Sequence, residues 1–196
     1  MPADPATIQF YQAQGPRFTL SPGQAPSRHL DPFLDRLAPG ARILELGCGA
    51  GRDAARMVER RFTCEATDGT PAMVRKARER FGLDARVLLF EDLDAEAAYD
   101  AVWAHASLLH VARADLSRVL GAIHRALRPG GWHFASFKLG TEEGRDLLGR
   151  LHNFPDAGWI ADAYRAAGFS IAEREVYPGE GADGTPREWI ALTLQG

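Results

Sequence analysis

Short strand-like runs recur along the chain at residues 43–46, 62–67, 85–90, 99–104 and 132–137, each bounded by glycine, proline or acidic residues. Their near-continuous apolar character is that of strands buried on both faces, as in a parallel sheet, rather than of half-exposed strands that alternate. Residues 169–177 and 188–194 read as two closing strands joined by the glycine-rich turn 178–186. Between the runs the apolar spacing turns helical. Ala54, Ala55, Met57 and Val58 open a helix reaching about residue 60, and Thr70 and Pro71 form an N-cap and first turn ahead of Ala72, Met73 and Val74. Leu116, Val119, Leu120, Ile123 and Leu127 share one face of a helix over 115–127, which Pro129, Gly130 and Gly131 stop. A short helix over 31–37 has Asp31 as N-cap and Pro32 at its first position, and another spans 159–167 before Gly168. Strands alternating with helices predict an α/β domain.

Two stretches fit this alternation poorly. Residues 1–28 hold Pro2, Pro5, Pro16, Pro22 and Pro26, too many for a core element, with one short helix possible over 6–14 carrying Ile8, Phe10 and Tyr11. Residues 138–154 are polar and punctuated by glycine. They read equally as a functional loop made basic by Lys138, Arg145 and Arg150, or as a solvated connecting helix.

The 196 residues suit one domain with a sizeable core, at 45% hydrophobic and 25% charged residues. A net charge of -3 argues against a nucleic-acid partner, which usually leaves a basic footprint. Lys76 and Lys138 are the only lysines. The two cysteines, Cys48 and Cys64, have no metal-ligand spacing and predict a reducing, cytoplasmic setting and no metal. The N-terminal residues lack the basic and apolar regions of a secretory signal, and no stretch approaches a membrane span.

The most informative stretch is residues 42–53, R-I-L-E-L-G-C-G-A-G-R-D: a buried strand, glycines at 47, 49 and 51, then a helix. Such a loop allows positive φ and lays backbone N–H groups against a ligand at a helix N-terminus. The dinucleotide fingerprint G-x-G-x-x-G would need a third glycine at position 52, where Arg52 stands. The pattern E-x-G-x-G-x-G resembles motif I of the class I S-adenosylmethionine (SAM)-dependent methyltransferases. A-L-R-P-G-G-W at 126–132, ahead of a strand, resembles a second motif of that family. The resemblance covers roughly residues 40–195. It implies one doubly wound, Rossmann-like domain: a seven-stranded, mostly parallel sheet with a closing antiparallel pair, preceded by residues 1–30 as a lid or a loose arm. It implies SAM as cofactor, S-adenosylhomocysteine as product and a small-molecule acceptor, in a monomer or homodimer. The small single-domain branch, similar to ubiquinone-biosynthesis and tellurite-resistance methyltransferases, is the nearest match.

Carried onto this sequence, the resemblance puts Glu45, Gly47, Cys48, Gly49, Gly51 and Asp53 around the cofactor, with Tyr11, Arg17, Arg28 and His29 as polar candidates on a lid. Asp68, at the end of the second strand, either accepts from both ribose hydroxyls or caps the next helix, with Gly69, Thr70 and Met73 beside the adenosine. Asp92 with Leu93 is the best match for an acid and an apolar side chain against adenine, though acids there are also ordinary turn chemistry. The crevice at the strand ends brings in Ala104, His105 and Leu109. His105 and His110 are candidates for a general base or an acceptor-orienting group, or else simply cap or bond backbone. No H-E-x-x-H, C-x-x-C or G-x-S-x-G motif appears, and the absence of a D/N-P-P-Y motif and of a cysteine placed as a base-attacking nucleophile points toward a small acceptor. Three alternatives stay open: a SAM-binding regulatory protein without turnover, an NAD(P)-dependent oxidoreductase and an RNA methyltransferase.

Overall fold

A computed structural model describes residues 3–18 and 25–196, with the side chains of 16–18 outside that description. The Arg17 side chain, a sequence candidate, therefore lies outside what is described. The sheet has seven strands: β1 (Arg42–Leu46), β2 (Thr63–Asp68), β3 (Arg86–Val87), β4 (Tyr99–Ala104), β5 (Leu127–Lys138), and, beyond a two-stranded hairpin β6 (Gly144–Arg145) and β7 (Leu151–His152), β8 (Ser170–Glu180) and β9 (Pro186–Gln195). Their order is β3-β2-β1-β4-β5-β9-β8, with β9 antiparallel to both neighbours. β1 pairs in parallel with β2 on one side and β4 on the other. The strand order reverses between β1 and β4, so the crevice where an α/β sheet binds ligands opens at their carboxyl ends.

The helices are α1 (Pro5–Phe18), α2 (Leu30–Leu34), α3 (Arg52–Glu59), α4 (Pro71–Phe81), α5 (Arg113–Ala126) and α6 (Ala157–Ala166). The predicted face of α5 is buried in the larger core, with Leu116, Val119, Leu120 and Ile123 against Leu46, Val102 and Ala104. A second core on the other side of the sheet joins Leu30, Phe33 and Leu34 to Ile43, Trp103 and Phe134. Among the described residues no helix is long and apolar enough to cross a membrane.

Several elements depart from the sequence expectation. α2 starts at Leu30 with His29 at its N-cap, so Asp31 pairs with Arg56 and Arg60 instead of capping. β5 starts at Leu127, inside the expected helix, and β8 runs on to Glu180, inside the expected turn. Strand β3 covers only two residues of the expected 85–90. It lies at the sheet edge beside β2, which ends at Asp68; Leu88 N–H reaches the Asp68 carbonyl (3.0 Å) and no backbone remains beyond to pair with. The short helix expected over 6–14 forms and is longer than expected, running through Pro5–Phe18. Pro5 is the first residue of α1, where a missing N–H costs nothing, and Asp4 caps it through the Thr7 N–H (2.8 Å). Residues 138–154 form neither a helix nor a plain loop but the β6–β7 hairpin. Its turn is held by Asp146, which accepts from Leu148 and Arg150 N–H (3.0 Å each).

Candidate functional site

The glycine loop leaves β1 with all three glycines left-handed: Gly47 at φ 81°, Gly49 at 55° and Gly51 at 83°. They serve different ends. A Cβ on Gly47 would stand 2.4 Å from Ser107 Cβ, and one on Gly51 2.5 Å from Leu83 Cδ1, so these two allow close packing. A Cβ on Gly49 would meet only Met73 Cε at 3.5 Å. Gly49 is thus the position whose missing side chain leaves open space. The loop is tied to β2 by Gly47 and Cys48 N–H groups, which both donate to the Thr67 carbonyl (2.9 and 2.7 Å). Asp68 accepts from Gly49 N–H (3.0 Å), Thr70 N–H (2.9 Å) and Thr70 Oγ1 (2.9 Å). Burial pushes its carboxyl above the usual range, against those three hydrogen bonds. Asp68 therefore both braces the loop and braces the start of α4, and it faces a cavity.

That cavity has a volume of about 560 Å³, within the range of small-ligand sites. Gly47, Gly49, Asp68, Gly69, Thr70 and Met73 line one side, and Leu89 and Glu91, after β3, another. Ala106, Ser107 and His110, after β4, line a third, with Ser107 Oγ buried and without a hydrogen-bond partner. Ala106 is held at φ 52°, its N–H donating to Ser136 Oγ (2.9 Å). Five acids (Asp4, Asp68, Glu91, Asp115 and Glu143) face two arginines (Arg118 and Arg145) around the space. The field favours a ligand with cationic and hydrogen-bond-donating groups.

Helix α1 lies across this cavity and is fastened from its N-terminal end to Gln12. Ala3 N–H donates to Glu91 Oε1 (2.6 Å), and Arg145 makes a two-pronged ion pair with Asp4 (2.7 and 3.0 Å). Leu151 N–H donates to Thr7 Oγ1 (2.9 Å), and Gln12 Oε1 accepts from Ala72 N–H in the first turn of α4 (3.1 Å). Arg145 holds the Asp4 carboxyl well below its ordinary 3.8. Because that pKa is depressed, the pair contributes stability above pH about 3.8 that is lost as pH falls below it. Protection of residues 5–15 against amide exchange, taken relative to the intrinsic rate at each pH, should accordingly be high near neutrality and decline below pH 4, and Arg145→Ala should remove that pH dependence; protection undiminished in acid would contradict it.

The candidate histidines are placed very differently. His110 is committed at both ring nitrogens. Its Nδ1 lies 2.6 Å from the Leu151 carbonyl, which can only accept, so the proton sits on Nδ1. Nε2 then accepts from the Tyr11 hydroxyl (2.9 Å), which itself accepts from Arg150 (2.8 Å). Burial, with His152 alongside, keeps His110 well below 6.5 and neutral. In this closed arrangement it anchors α1 and has no free lone pair for a proton. His105 turns from the cavity toward Asp53 (3.9 Å) and stacks near Trp103, and burial lowers it to about 4.

Several other sequence candidates stand outside the cavity. Asp92 is exposed and Leu93 is in the core; the acid facing the cavity is Glu91, one residue earlier. Ala104 and Leu109 are buried, Leu109 through packing and through its carbonyl, which accepts from Asn153 N–H (2.9 Å). Glu45 and Cys48 are buried behind the loop. Burial and then the Asp53 charge push the Glu45 carboxyl well up, and burial raises the Cys48 thiol. Asp53 holds Ser27 N–H (3.0 Å), Arg52 Nε (2.9 Å) and Trp103 Nε1 (3.1 Å), pinning the segment before α2. Arg28 pairs with Glu175 (2.7 Å) at the surface, while His29 packs between Phe134 and Tyr177. Ser107 falls within the stretch 104–110 that sequence reasoning places at the strand ends, without singling it out; Glu91, Asp115 and the Arg150–Tyr11 contact are missed. Of the missed features only Glu91, beside the chosen acid, carries a local signal.

With this geometry in view, likeness to known proteins becomes informative. A family model described as a methyltransferase domain matches residues 43–131. The ubiquinone biosynthesis O-methyltransferase of Xanthomonas oryzae pv. oryzae is 32% identical over 200 residues, covering 81% of this chain and 82% of that protein. Its counterpart in Xanthomonas campestris pv. campestris is 34% identical over 141 residues, 65% of this chain, and there the match spans only 55% of the relative's length. Among solved structures, the 1,6-didemethyltoxoflavin-N1-methyltransferase of Burkholderia thailandensis, with 1,6-didemethyltoxoflavin and S-adenosylhomocysteine bound, superposes with a TM-score of 0.77 at 21% identity. That match covers 97% of this chain and 87% of the other.

Proposed function

We propose that this chain transfers a methyl group to a small molecule beneath α1, for it belongs to the class I SAM-dependent methyltransferase family and its cavity is built to hold that cofactor. The observation that carries the reading is the Gly49 cradle: left-handed backbone, open space where a side chain would stand, and an N–H fixed by Asp68. The acid-rich lining suits a ligand with a sulfonium and an ammonium, and the unpartnered Ser107 hydroxyl offers it a further polar contact. Residues that would hold the cofactor are Gly47, Gly49, Asp68, Met73, Leu89 and Glu91. Bound there, SAM supplies an electrophilic methyl group, so the protein's task is to align the acceptor at about 3–3.5 Å and exclude water. Helix α1 supplies the exclusion. Tyr11, held by His110 and Arg150, fixes that helix over the reaction space, which makes His110 a positioning residue. The covered cavity and acid-rich lining favour a small acceptor over a nucleic acid.

Isothermal titration with S-adenosylhomocysteine, followed by transfer of labelled methyl from SAM across an acceptor panel, tests the reading. Binding without turnover on any acceptor would leave a SAM-binding regulator, and binding of NADH instead would overturn the family reading of the cavity. Asp68→Ala should weaken S-adenosylhomocysteine binding by about 1.5–3 kcal/mol, the scale of hydrogen bonds to a charged group, because it removes the brace of Gly49 as well as any ribose contact. Unchanged affinity would take Asp68 out of the site.

A further inference from the structure

One face of α1, together with its cap Asp4, is turned to the β6–β7 hairpin. Asp4, Thr7, Phe10 and Tyr11 recur at three- and four-residue spacing, so helical geometry stacks them in one row. The hairpin meets every one of them. Arg145 pairs with Asp4, Leu151 N–H donates to Thr7, and Arg150 donates to the Tyr11 hydroxyl with its guanidinium 5.0 Å from the Phe10 ring centre. Helix and hairpin also wall the same cavity, which Asp4, Thr7 and Tyr11 line from one and Arg145 and Leu151 from the other.

The hairpin is fixed to the rest of the fold at its base. Ahead of it Glu143 accepts from Arg113 N–H (2.6 Å), and after it Asn153 donates from N–H to the Leu109 carbonyl (2.9 Å) and from Nδ2 to the Leu108 and Val111 carbonyls (3.0 and 3.1 Å). Between those points, among the described residues, 144–152 hydrogen-bond to the strand ends only through the Leu151 carbonyl, which accepts from His110 Nδ1. The other nitrogen of that ring accepts from Tyr11. One buried histidine thus ties down the hairpin with one nitrogen and the helix with the other. Asp146 shapes the hairpin from inside. It accepts from Arg150 Nε and Nη2 (3.0 and 2.5 Å) and from His152 Nε2 (3.1 Å), besides the two N–H groups of its turn. Burial acts to raise this carboxyl, but the Arg150 bonds prevail and bring it to about 2, so it is charged at neutral pH. Asp146 and Arg150 are both buried, and neither lines the cavity.

We infer that Asp146 is a positioning residue: by fixing Arg150 and the β7 backbone it holds the hairpin against α1, and helix and hairpin open and close over the ligand as one cover. The assignment rests on the reading above that the cavity takes the cofactor, and it adds what admits and releases that ligand. Were α1 to leave alone, the hairpin would lose its partners at Asp4, Thr7, Phe10 and Tyr11 and keep one hydrogen bond to the strand ends. Strands of two residues each are too short to stand on that, so the hairpin goes with the helix. Such a local opening lies well below the free energy of global unfolding.

Hydrogen exchange of the whole chain at neutral pH, with and without S-adenosylhomocysteine, reads the two elements separately. Residues 5–15 and 145–151 are expected to share one opening free energy, lower than that of β1, β4 and β5, and to be slowed by the same factor at saturating S-adenosylhomocysteine. Asp146→Asn keeps an acceptor for the turn but loses the charge that holds Arg150. It should raise opening of both segments about tenfold, the scale of a hydrogen bond to a charged group, with protection of β1 and β4 kept. If that variant does not fold, Tyr11→Phe, which removes the hydroxyl between His110 and Arg150, should give the same joint rise. Rapid-mixing kinetics in either variant should show S-adenosylhomocysteine association and dissociation accelerating together, as a looser cover requires; a residue that only supports the fold would not speed association. Unequal opening of the two segments, ligand protection confined to α1, or a variant that loosens the hairpin alone overturns the inference. Joint opening without any S-adenosylhomocysteine binding would sink the cofactor reading and leave the shared cover standing, whereas binding with separate opening would sink only the cover.

Discussion

Gly49→Val should fold and fail to bind S-adenosylhomocysteine, whereas Gly51→Val should fail to fold stably. Both glycines are left-handed, so each substitution carries the backbone penalty of about 1–2 kcal/mol for an L-residue there. The difference is in what the new side chain meets. At Gly49 the added Cβ has only Met73 Cε near it, at 3.5 Å, and the valine methyls extend into the cavity where the ligand would lie. At Gly51 the same atom stands 2.5 Å from Leu83 Cδ1 and 2.9 Å from Ala77 Cβ, in a packed cluster with Ala54 and Val74. Overpacking of about 1–3 kcal/mol then adds to the backbone cost, enough to take roughly 2–5 kcal/mol from a marginal total. Circular dichroism melts and calorimetric titration separate the outcomes. Retained affinity in Gly49→Val would mean that the ligand does not lie against this loop.

The protein should lose stability steeply as pH falls from about 6.5 toward 4, more steeply than carboxylate protonation alone would give. Five of its six histidines have folded-state pKa values below the ordinary 6.5, burial being the first cause in each. His105, His133 and His152 lie at about 4, while His29 and His110 are lowered. His133 shows why: it is fully buried in the sheet, its ring bonded to the Val102 carbonyl (2.9 Å) and Tyr164 hydroxyl (3.1 Å). Between the two pKa values the unfolded chain binds protons that the folded chain refuses, so stability rises with pH. Glu45 and Asp68 act in the opposite sense, since burial raises them and the folded state keeps their protons. The three histidines at about 4 take up as many as three protons on unfolding near pH 5; His29 and His110 add to that uptake, and Glu45 and Asp68 subtract from it. At about 1.4 kcal/mol per proton per pH unit the slope reaches about 4 kcal/mol per pH unit near pH 5. Denaturant melts across pH 4–7 measure it directly. A flat profile would mean that these rings are solvated. His133→Asn, which keeps the Val102 hydrogen bond but cannot titrate, should flatten it by one proton.

The β1-loop-α3 unit was readable from local sequence because its requirements are local. An apolar run must be buried, and alternate glycines supply left-handed turns at Gly47, Gly49 and Gly51. The same holds for Thr70 and Pro71 at the start of α4 and for Pro129 and Gly130 after α5. Asp68 could be singled out because it ends a strand one step from that loop. The placement of Asp92 and Leu93 could not be read off in this way. β3 is only two residues long and passes into a 3-10 turn, so which of three consecutive residues faces the cavity depends on a backbone rotation that spacing does not encode.

Sequence alone determined the layered α/β architecture, the order of its elements and the ligand-binding loop, since these follow from apolar patterning and from backbone conformations that only glycine and proline favour. Tertiary structure decided which side chains are free to do chemistry. Tyr11 meets Arg150 across 139 positions of sequence, His110 meets Leu151 across 41, and Asp4 meets Arg145 across 141. A histidine's role is set by which partners occupy its two nitrogens and how much water remains around it. Those partners are brought together only when the leader helix, the β6–β7 hairpin and the strand ends close on one another.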